Sequence, residues 1–276
     1  MATQPTIALN DTRVIPQLGF GVWQVPGDIT APVVSEAIAA GYRSIDTAAV
    51  YENEAGVGAA LQNSSVPREQ LFITTKLWNS RHGYDDALRS FDKSLSRLGL
   101  DYLDLFLIHW PAPRQNLYVE AWRALVELQR QGRVKSIGVS NFNIPHLQRI
   151  IDTSGVVPAL NQVELHPRFQ QKTLREFHAQ HGIATEAWSP LGQGQLLEDV
   201  TVRAIANKHA RSPAQIILRW HLESGLIAIP KSVTPARIRE NFAVFDFRLD
   251  ADDMRRLDGL DAADGRIGPD PETADF

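Results

Sequence analysis

The chain has 276 residues, with 28 lysines and arginines against 32 aspartates and glutamates, and it contains no cysteine. With glycine counted and tyrosine left out, roughly 48% of the residues are apolar, which supports a hydrophobic core and excludes a disordered chain. The absence of cysteine excludes a disulfide scaffold, a thiolate nucleophile and a Cys-ligated zinc site. A formal net charge of −4 gives no indication of a nucleic-acid partner. The first residues lack a signal-peptide pattern, and no apolar run approaches the ~18 residues of a membrane span. We therefore expect a cytoplasmic protein that binds neither membrane nor metal.

An Asn10-Asp11 turn between two apolar runs predicts a β-hairpin within residues 6–16. Short runs rich in valine, isoleucine and leucine follow along the chain, and their lack of clear alternation is typical of strands buried on both faces. They lie at 17–21, 43–46, 71–76, 103–109, 134–140, 159–163, 184–188 and 226–229. Amphipathic segments predict helices at 29–40, 85–97, 118–131, 170–180, 199–209, 213–222, 235–242 and 251–260. The Asp-, Pro- and Gly-rich stretch 262–276 predicts a surface loop.

Eight strands alternating with helices in a chain of this length predict a (β/α)₈ barrel. We expect one barrel domain over residues 1–276, with an N-terminal β-hairpin and extra helices near the C-terminus. The alternative is a doubly wound open sheet, which needs a Gly-x-Gly-x-x-Gly turn after its first strand. The pairs Gly19/Gly21 and Gly192/Gly194 both lack the third glycine. The barrel is therefore the favoured fold.

Polar or aromatic residues end seven consecutive predicted strands, at the face where barrel enzymes carry their active sites. They are Asp46, Lys76, His109, Ser140-Asn141, Gln162, Trp188-Ser189 and Lys231-Ser232. One such residue has a simple structural explanation, because every strand must reach the surface, but a set this rich in charged and aromatic groups indicates a site. Tyr51 lies five residues after Asp46, in the loop that follows the second strand.

The run Gly41–Gly58, GYRSIDTAAVYENEAGVG, resembles the N-terminal signature of the aldo-keto reductases. IGVSNF at 137–142 is similar to the central signature of that family, and IPKSV at 229–233 with its downstream helix is similar to its cofactor signature. The resemblance extends from about residue 6 to residue 260. Within the family, the chain is most similar to the bacterial 2,5-diketo-D-gluconic acid reductases.

The resemblance implies an NADPH-dependent oxidoreductase that reduces aldehydes or ketones to alcohols, with the catalytic residues Asp46, Tyr51, Lys76 and His109. A free tyrosine titrates near pH 10, and we expect the Lys76 ammonium to favour the phenolate and lower the pKa of Tyr51. Asp46 would keep Lys76 charged. Tyr51 is then the general acid, while His109 orients the carbonyl oxygen or shares in the proton transfer at low pH. We expect a monomer whose only partner is a small carbonyl substrate.

The resemblance also implies the residues that bind the cofactor and the substrate. The side chains of Ser140, Asn141 and Gln162 suit a carboxamide, the flat face of Trp188 suits a nicotinamide ring, and Arg237 suits a 2′-phosphate. The full predicted cofactor set is Asp46, Ser140, Asn141, Gln162, Trp188, Ser189, Leu191, Gly192, Gln193, Lys231, Ser232, Val233, Arg237, Glu240 and Asn241. The predicted substrate set is Trp23, Tyr51, Trp78, His109 and Trp110.

Two other functions stay open from the sequence. One is an NADPH-binding barrel that senses redox state or binds a partner with little turnover. The other is a Schiff-base aldolase, since Lys76 and Lys231 both end strands. Proximity of Asp46 to Lys76 argues against the aldolase, because a neighbouring carboxylate keeps the amine protonated and non-nucleophilic.

Overall fold

The computed structural model describes residues 4–274 and Phe276. The predicted hairpin is present: β1 (Thr6–Ala8) pairs antiparallel with β2 (Val14–Pro16). Leu9 and Ile15 from this hairpin are buried in a cluster with Leu105, Leu160 and Ile227 of the barrel strands. The hairpin therefore covers the end of the barrel from which the strands begin.

Eight parallel strands follow and form one sheet in sequential order. They are β3 (Phe20–Gly21), β4 (Ser44–Asp46), β5 (Phe72–Leu77), β6 (Leu103–Ile108), β7 (Val134–Ser140), β8 (Leu160–Glu164), β9 (Ala184–Trp188) and β10 (Ile227–Ala228). A parallel bridge joins Leu18 to Ala228, next to the bond from the Gly21 N–H to the Pro230 carbonyl at 3.1 Å. These contacts bring the first and last strands together, so the sheet curls into the predicted (β/α)₈ barrel.

The helices surround the sheet and nearly all correspond to the predicted ones. They are α1 (Gly27–Ala40), α2 (Glu54–Gln62), α3 (Tyr84–Leu98), α4 (Tyr118–Arg130), α5 (Ile144–Ser154), α6 (Lys172–His181), α7 (Val200–His209), α8 (Pro213–Glu223), α9 (Pro235–Phe242) and α10 (Ala251–Asp258). The pair α7 and α8 between β9 and β10 contains one of the extra helices, and α10 is another. None of the helices in the described part of the chain is long and apolar enough to cross a membrane.

The sequence analysis does not predict α2 and α5. The α2 segment, EAGVGAALQ, is rich in small residues and lacks a clear polar face, yet it packs closely on α3: a Cβ on Gly58 would lie 2.5 Å from the Leu98 carbonyl oxygen. The α5 helix begins with a capping box in which Asn143 and His146 each bond the other's backbone. The close packing of α2 is thus beyond a periodicity search, whereas α5 carries both apolar spacing and capping residues that the sequence analysis overlooks.

The prediction of a surface loop at 262–276 agrees with the described part of this segment, which has no helix or strand. The sequence does not predict that the loop folds back over the mouth of the barrel. Pro271 is buried, and Phe276 stacks on Trp78 with ring centroids 5.7 Å apart. The polar composition of the segment conceals this packing, because its backbone and one terminal ring make the contacts.

The barrel interior leaves no space for a methyl group at Gly138, in the middle of β7. A Cβ there would lie 2.5 Å from the Leu160 carbonyl oxygen and 2.8 Å from a methyl carbon of Leu107. We expect Gly138→Ala to lower the free energy of unfolding by about 1–3 kcal/mol through overpacking, measured by urea denaturation. Gly27→Ala is the matched control, because its nearest neighbour would lie 3.7 Å away. Equal stabilities of the two variants would contradict this close packing.

Candidate active site

A buried ion pair lies at the centre of the site. Lys76 of β5 is fully buried, and its Nζ donates to Asp46 Oδ1 at 2.5 Å and to the Thr47 carbonyl at 2.9 Å. The ammonium also faces the ring of Tyr51. Two oxygen acceptors therefore hold the cation next to the phenol.

Tyr51 lies just after β4, within a single 3₁₀ turn, and its ring is 5.2 Å from the Lys76 ammonium. Burial raises the pKa of Tyr51, the positive charge of Lys76 lowers it, and the negative charge of Asp46 raises it again. The pKa of Tyr51 is therefore above its ordinary value. The expected contribution of Lys76 is present, but the expectation of a lowered pKa is wrong in the free enzyme, because burial outweighs that contribution.

His109 follows β6, and its ring lies edge-on to two aromatic rings. The ring centroids are 5.6 Å from Tyr51 and 5.2 Å from Trp78. Burial, together with the positive charge of Lys76, holds the pKa of His109 well below its ordinary value. His109 is thus a neutral imidazole at neutral pH. It can donate one hydrogen bond, but it carries no positive charge.

A chain of hydrogen bonds continues from the ion pair across the barrel interior. The Gln162 Nε2 amide group donates to Asp46 Oδ2 at 2.9 Å and to Glu186 Oε2 at 2.6 Å. Both hydrogens of the side-chain amide are used in this way. The side-chain oxygen of Gln162 is therefore the part of the amide that is left to face the cavity. Burial raises the pKa of Glu186 to about 8, with a further contribution from the negative charge of Asp46.

The predicted nicotinamide platform is held by side chains that end neighbouring strands. Trp188 Nε1 donates to Asn141 Oδ1 at 2.7 Å, and Asn141 Nδ2 donates to the His109 carbonyl at 2.9 Å. Asn141 has a positive φ of 63°, a strained conformation that its side-chain bonds maintain. The Ser140 hydroxyl donates to the backbone carbonyl of Gln162 at 2.8 Å. Trp188, Asn141 and His109 therefore form one connected unit.

One cavity of about 1040 Å³ brings most of the predicted site residues together. Those that line it are Trp23, Asp46, Tyr51, Trp78, His109, Trp110, Ser140, Asn141, Gln162, Trp188, Ser189, Leu191, Gln193, Lys231 and Arg237. The catalytic candidates Asp46, Tyr51 and His109 follow β4 and β6, whereas the cations Lys231 and Arg237 follow the last strand, β10. The cavity thus joins an apolar, amide-rich region to a positively charged one.

The other predicted residues do not line this cavity. Lys76 is buried beneath Tyr51, as its proposed role requires, while Gly192 and Asn241 are buried elsewhere. Ser232, Val233 and Glu240 are absent from the cavity wall as well, and the Ser232 hydroxyl accepts a hydrogen bond from the Thr234 N–H.

The sequence analysis misses several residues of the cavity wall and one residue buried below it. Ile267, Gly268, Pro269 and Phe276 come from the segment predicted as a surface loop, and Glu186 lies in the barrel interior beneath Gln162. No sequence signal places the first four over the barrel, because the fold alone brings them there. Glu186 had a usable signal: it is an acidic residue in the middle of a predicted buried strand.

The residues of this cavity fit an NADPH molecule. Trp188 offers a flat face, the Gln162 carbonyl oxygen is free to accept from a carboxamide N–H, and Lys231 and Arg237 offer positive charge to phosphate groups. The fit is less complete at the loop after β9, since the Gly192 and Gly194 N–H groups donate to the Ser189 and Leu191 carbonyls.

The comparison with known proteins agrees with this geometry. A model described as the Aldo/keto reductase family matches residues 17–262. Methylglyoxal reductase DkgA of Yersinia pestis is 56% identical over 275 residues, covering 99% of this chain and 98% of that protein. The crystal structure of a Gox0644 mutant in complex with NADPH has a TM-score of 0.96 at 55% identity, covering 99% of this chain and 100% of that one. A Bombyx mori aldo-keto reductase in complex with NADP has a TM-score of 0.88 at 38% identity, covering 95% and 94%.

The chain belongs to the aldo/keto reductase family. As an aldo/keto reductase it is an NADP-dependent oxidoreductase that reduces carbonyl groups to alcohols. The predicted family, fold, activity and cofactor are confirmed. The roles of the individual site residues stay predictions.

The raised pKa of Glu186 gives this aldo/keto reductase a measurable pH dependence of stability. Glutamate ordinarily titrates near 4.5, so between that pH and about 8 the unfolded chain ionises Glu186 while the folded protein keeps it neutral. The folded state is therefore penalised increasingly as pH rises through this window, by at most about 1.4 kcal/mol per pH unit.

We expect Glu186→Gln to remove this penalty, because glutamine cannot ionise. The stability of the variant relative to wild type should increase from pH 5 to pH 8, measured by urea unfolding at both values. A stability difference that is the same at the two pH values would show that Glu186 is already ionised in the folded protein.

Proposed function

We propose that Tyr51 is the general acid of the carbonyl reduction and that Lys76, Asp46 and His109 support it. The observation that carries this proposal is the buried Lys76–Asp46 pair directly against the Tyr51 phenol, at the floor of the cavity. The raised pKa of Tyr51 keeps the phenol protonated at neutral pH, and the protonated phenol is the form that reduction needs. The assignment rests on this arrangement of charges.

The reaction transfers two groups to the carbonyl, and the chain supplies one of them. Bound NADPH supplies a hydride for the carbonyl carbon. Tyr51 donates a hydrogen bond to the carbonyl oxygen and transfers its proton as negative charge develops there, which leaves a phenolate that the Lys76 ammonium stabilises. Neutral His109 donates a second hydrogen bond that orients the oxygen. Because its pKa is so low, His109 does not compete with Tyr51 as the proton donor.

We propose small, polar carbonyl compounds as substrates, such as methylglyoxal and 2,5-diketo-D-gluconate. The support is twofold. Trp23, Trp78 and Trp110 line the cavity, leaving Tyr51 and His109 as polar donors among aromatic walls. The Yersinia pestis relative at 56% identity is a methylglyoxal reductase. A panel of these carbonyls with purified protein, followed by NADPH absorbance, identifies the preferred one.

The two alternative functions fit the geometry less well. In a Schiff-base aldolase the amine must lose its proton, but Asp46 and Tyr51 overcome the effect of burial and raise the pKa of Lys76. A sensing barrel needs no general acid against a buried cation. We also propose that the protein acts as a monomer, since residues of one chain supply both the catalytic groups and the cations of the cavity wall. Its location in the cytoplasm stays a prediction.

Tyr51→Phe removes the acidic proton and keeps the ring. We expect turnover to fall by about 10²- to 10⁴-fold, the usual contribution of general acid catalysis, while NADPH affinity changes little. Steady-state kinetics with methylglyoxal and fluorescence titration with NADPH measure the two quantities. A variant that keeps more than a tenth of wild-type turnover would exclude Tyr51 as the acid.

Arg237 is an exposed residue of the first turns of α9, and it lines the cavity beside Lys231. We propose that its guanidinium binds the 2′-phosphate that distinguishes NADPH from NADH. Arg237→Ala should then lower NADPH affinity by about tenfold, the lower range for a hydrogen bond to a charged group, and leave NADH use unchanged.

The matched control is Arg239→Ala, on the same helix. Arg239 pairs with Glu36 and does not line the cavity. The measurement is kcat/KM with both cofactors for wild type and both variants. If the NADPH/NADH ratio is the same in all three proteins, Arg237 does not bind the 2′-phosphate.

A further inference from the structure

Residues 265–274, here named the terminal strap, cross the mouth of the barrel without forming a helix or strand. Ile267, Gly268 and Pro269 of the strap line the cavity, and Phe276 beyond it lies between Trp78 and Trp110. A segment without regular structure needs another source of hydrogen bonds for its backbone where it is buried. The question is what holds it over the site.

Glu164 supplies those bonds. It is the last residue of β8, its side chain is 1% exposed, and none of the roles proposed above uses it. Glu164 Oε1 accepts from the Ile267 N–H at 2.6 Å, and Oε2 accepts from the Gly268 N–H at 2.7 Å. One carboxylate thus binds two consecutive backbone N–H groups, one to each oxygen. Hydrogen bonds to an ionised acceptor are roughly twice as strong as neutral ones.

The carboxylate is itself held in place. The buried His166 ring approaches Glu164 Oε1 through Nε2 at 3.2 Å. Burial alone would raise the pKa of Glu164, but the hydrogen bonds from His166, Ile267 and Gly268 outweigh it, so that the pKa is below its ordinary value. Glu164 therefore stays ionised at neutral pH and keeps both acceptors.

The strap presses against the predicted nicotinamide platform at the point where Glu164 binds it. A Cβ on Gly268 would lie 2.5 Å from Trp188 Cη2 and 2.9 Å from Glu164 Oε2. The strap backbone at Gly268 thus packs directly against the indole. On its other side, Trp188 is held by the hydrogen bond to Asn141. The position of the indole depends on both contacts.

We propose that Glu164 is a positioning residue that clasps the terminal strap against Trp188, and that this clasp limits the escape of NADPH from the site. The part of the proposal that concerns NADPH rests on the cofactor position proposed above. The clasp itself does not, because it joins groups of this chain alone. An intact clasp keeps both the cavity wall and the platform in place when the cofactor binds.

The test is Glu164→Gln, which keeps the shape of the side chain and replaces one acceptor oxygen by an NH₂ group facing a backbone N–H. We expect faster hydrogen exchange at the amides of Ile267 and Gly268, by about tenfold or more, the effect of losing a hydrogen bond to a charged group. NADPH should dissociate faster by a similar factor, measured by stopped-flow tryptophan fluorescence without substrate. In steady-state kinetics, the KM for NADPH should rise by a larger factor than kcat falls.

Glu272→Gln is the matched control. Glu272 lies on the same strap, but it is exposed and accepts a hydrogen bond from the Asn143 side chain at 2.7 Å. We expect this variant to leave exchange at Ile267 and Gly268 and the dissociation of NADPH within twofold of wild type. A tenfold effect of both variants would show that any anchor of the strap suffices, which overturns the special role of Glu164.

A second variant keeps the proposal testable if Glu164→Gln does not fold. Gly268→Ala forces the strap away from both Trp188 and the Glu164 carboxylate without changing Glu164 itself, so the same acceleration of NADPH release is expected. Exchange and release within twofold of wild type in Glu164→Gln, or in Gly268→Ala if only that variant folds, would overturn the clasp. Failure of the proposed cofactor position gives a different result: NADPH binding does not respond to either variant, but amide exchange at Ile267 and Gly268 still does.

Discussion

The ion pair between Lys76 and Asp46 is the interaction on which the site depends. Removing two charges from water costs several kcal/mol for each ion, and only close geometry with further hydrogen bonds compensates for it. Here Asp46 uses one oxygen for Lys76 and the other for Gln162, which in turn binds Glu186. Four strands of the barrel, β4, β5, β8 and β9, each contribute one of these residues. This series of hydrogen-bonded side chains, here named the polar chain, therefore fixes the four strands relative to one another. It also places the Tyr51 phenol against a cation.

Burial acts in opposite directions on the two groups that face a carbonyl oxygen. It raises the pKa of Tyr51, an acid that is neutral when protonated, and lowers the pKa of His109, a base that is neutral when deprotonated. Both residues are consequently neutral at neutral pH, and of the two only Tyr51 holds a proton acidic enough to transfer, because the N–H of a neutral imidazole is a far weaker acid than a phenol. Lys76 lowers the pKa of Tyr51 without overcoming burial. Its charge has the largest effect once the phenolate has formed, because an anion beside a buried ammonium gains the most from it.

The sequence predicted the barrel, its strand ends and the four catalytic candidates, because each depends on local signals. A buried strand followed by a polar residue is visible in the chain, as at Asp46 and His109. The contribution of Glu164 could not be predicted, since its partners are the backbone N–H groups of Ile267 and Gly268, about a hundred residues away, and backbone groups have no sequence signature. The net pKa of Tyr51 was also beyond reach, because burial depends on the packed structure. The α5 helix was missed although its capping residues and apolar spacing were present.

The division of the site between barrel and strap has a consequence for how substrate preference and chemistry are separated. The catalytic groups end barrel strands and are joined to one another by the polar chain, so a change in one disturbs the others. The strap is held by Glu164 through backbone N–H groups, which every residue except proline provides. The side chain of Ile267 is therefore free to differ without loss of the clasp, whereas any Cβ at position 268 would collide with Trp188. The wall of the cavity can thus change its shape and polarity while the proton donor, its cation and the platform stay in place.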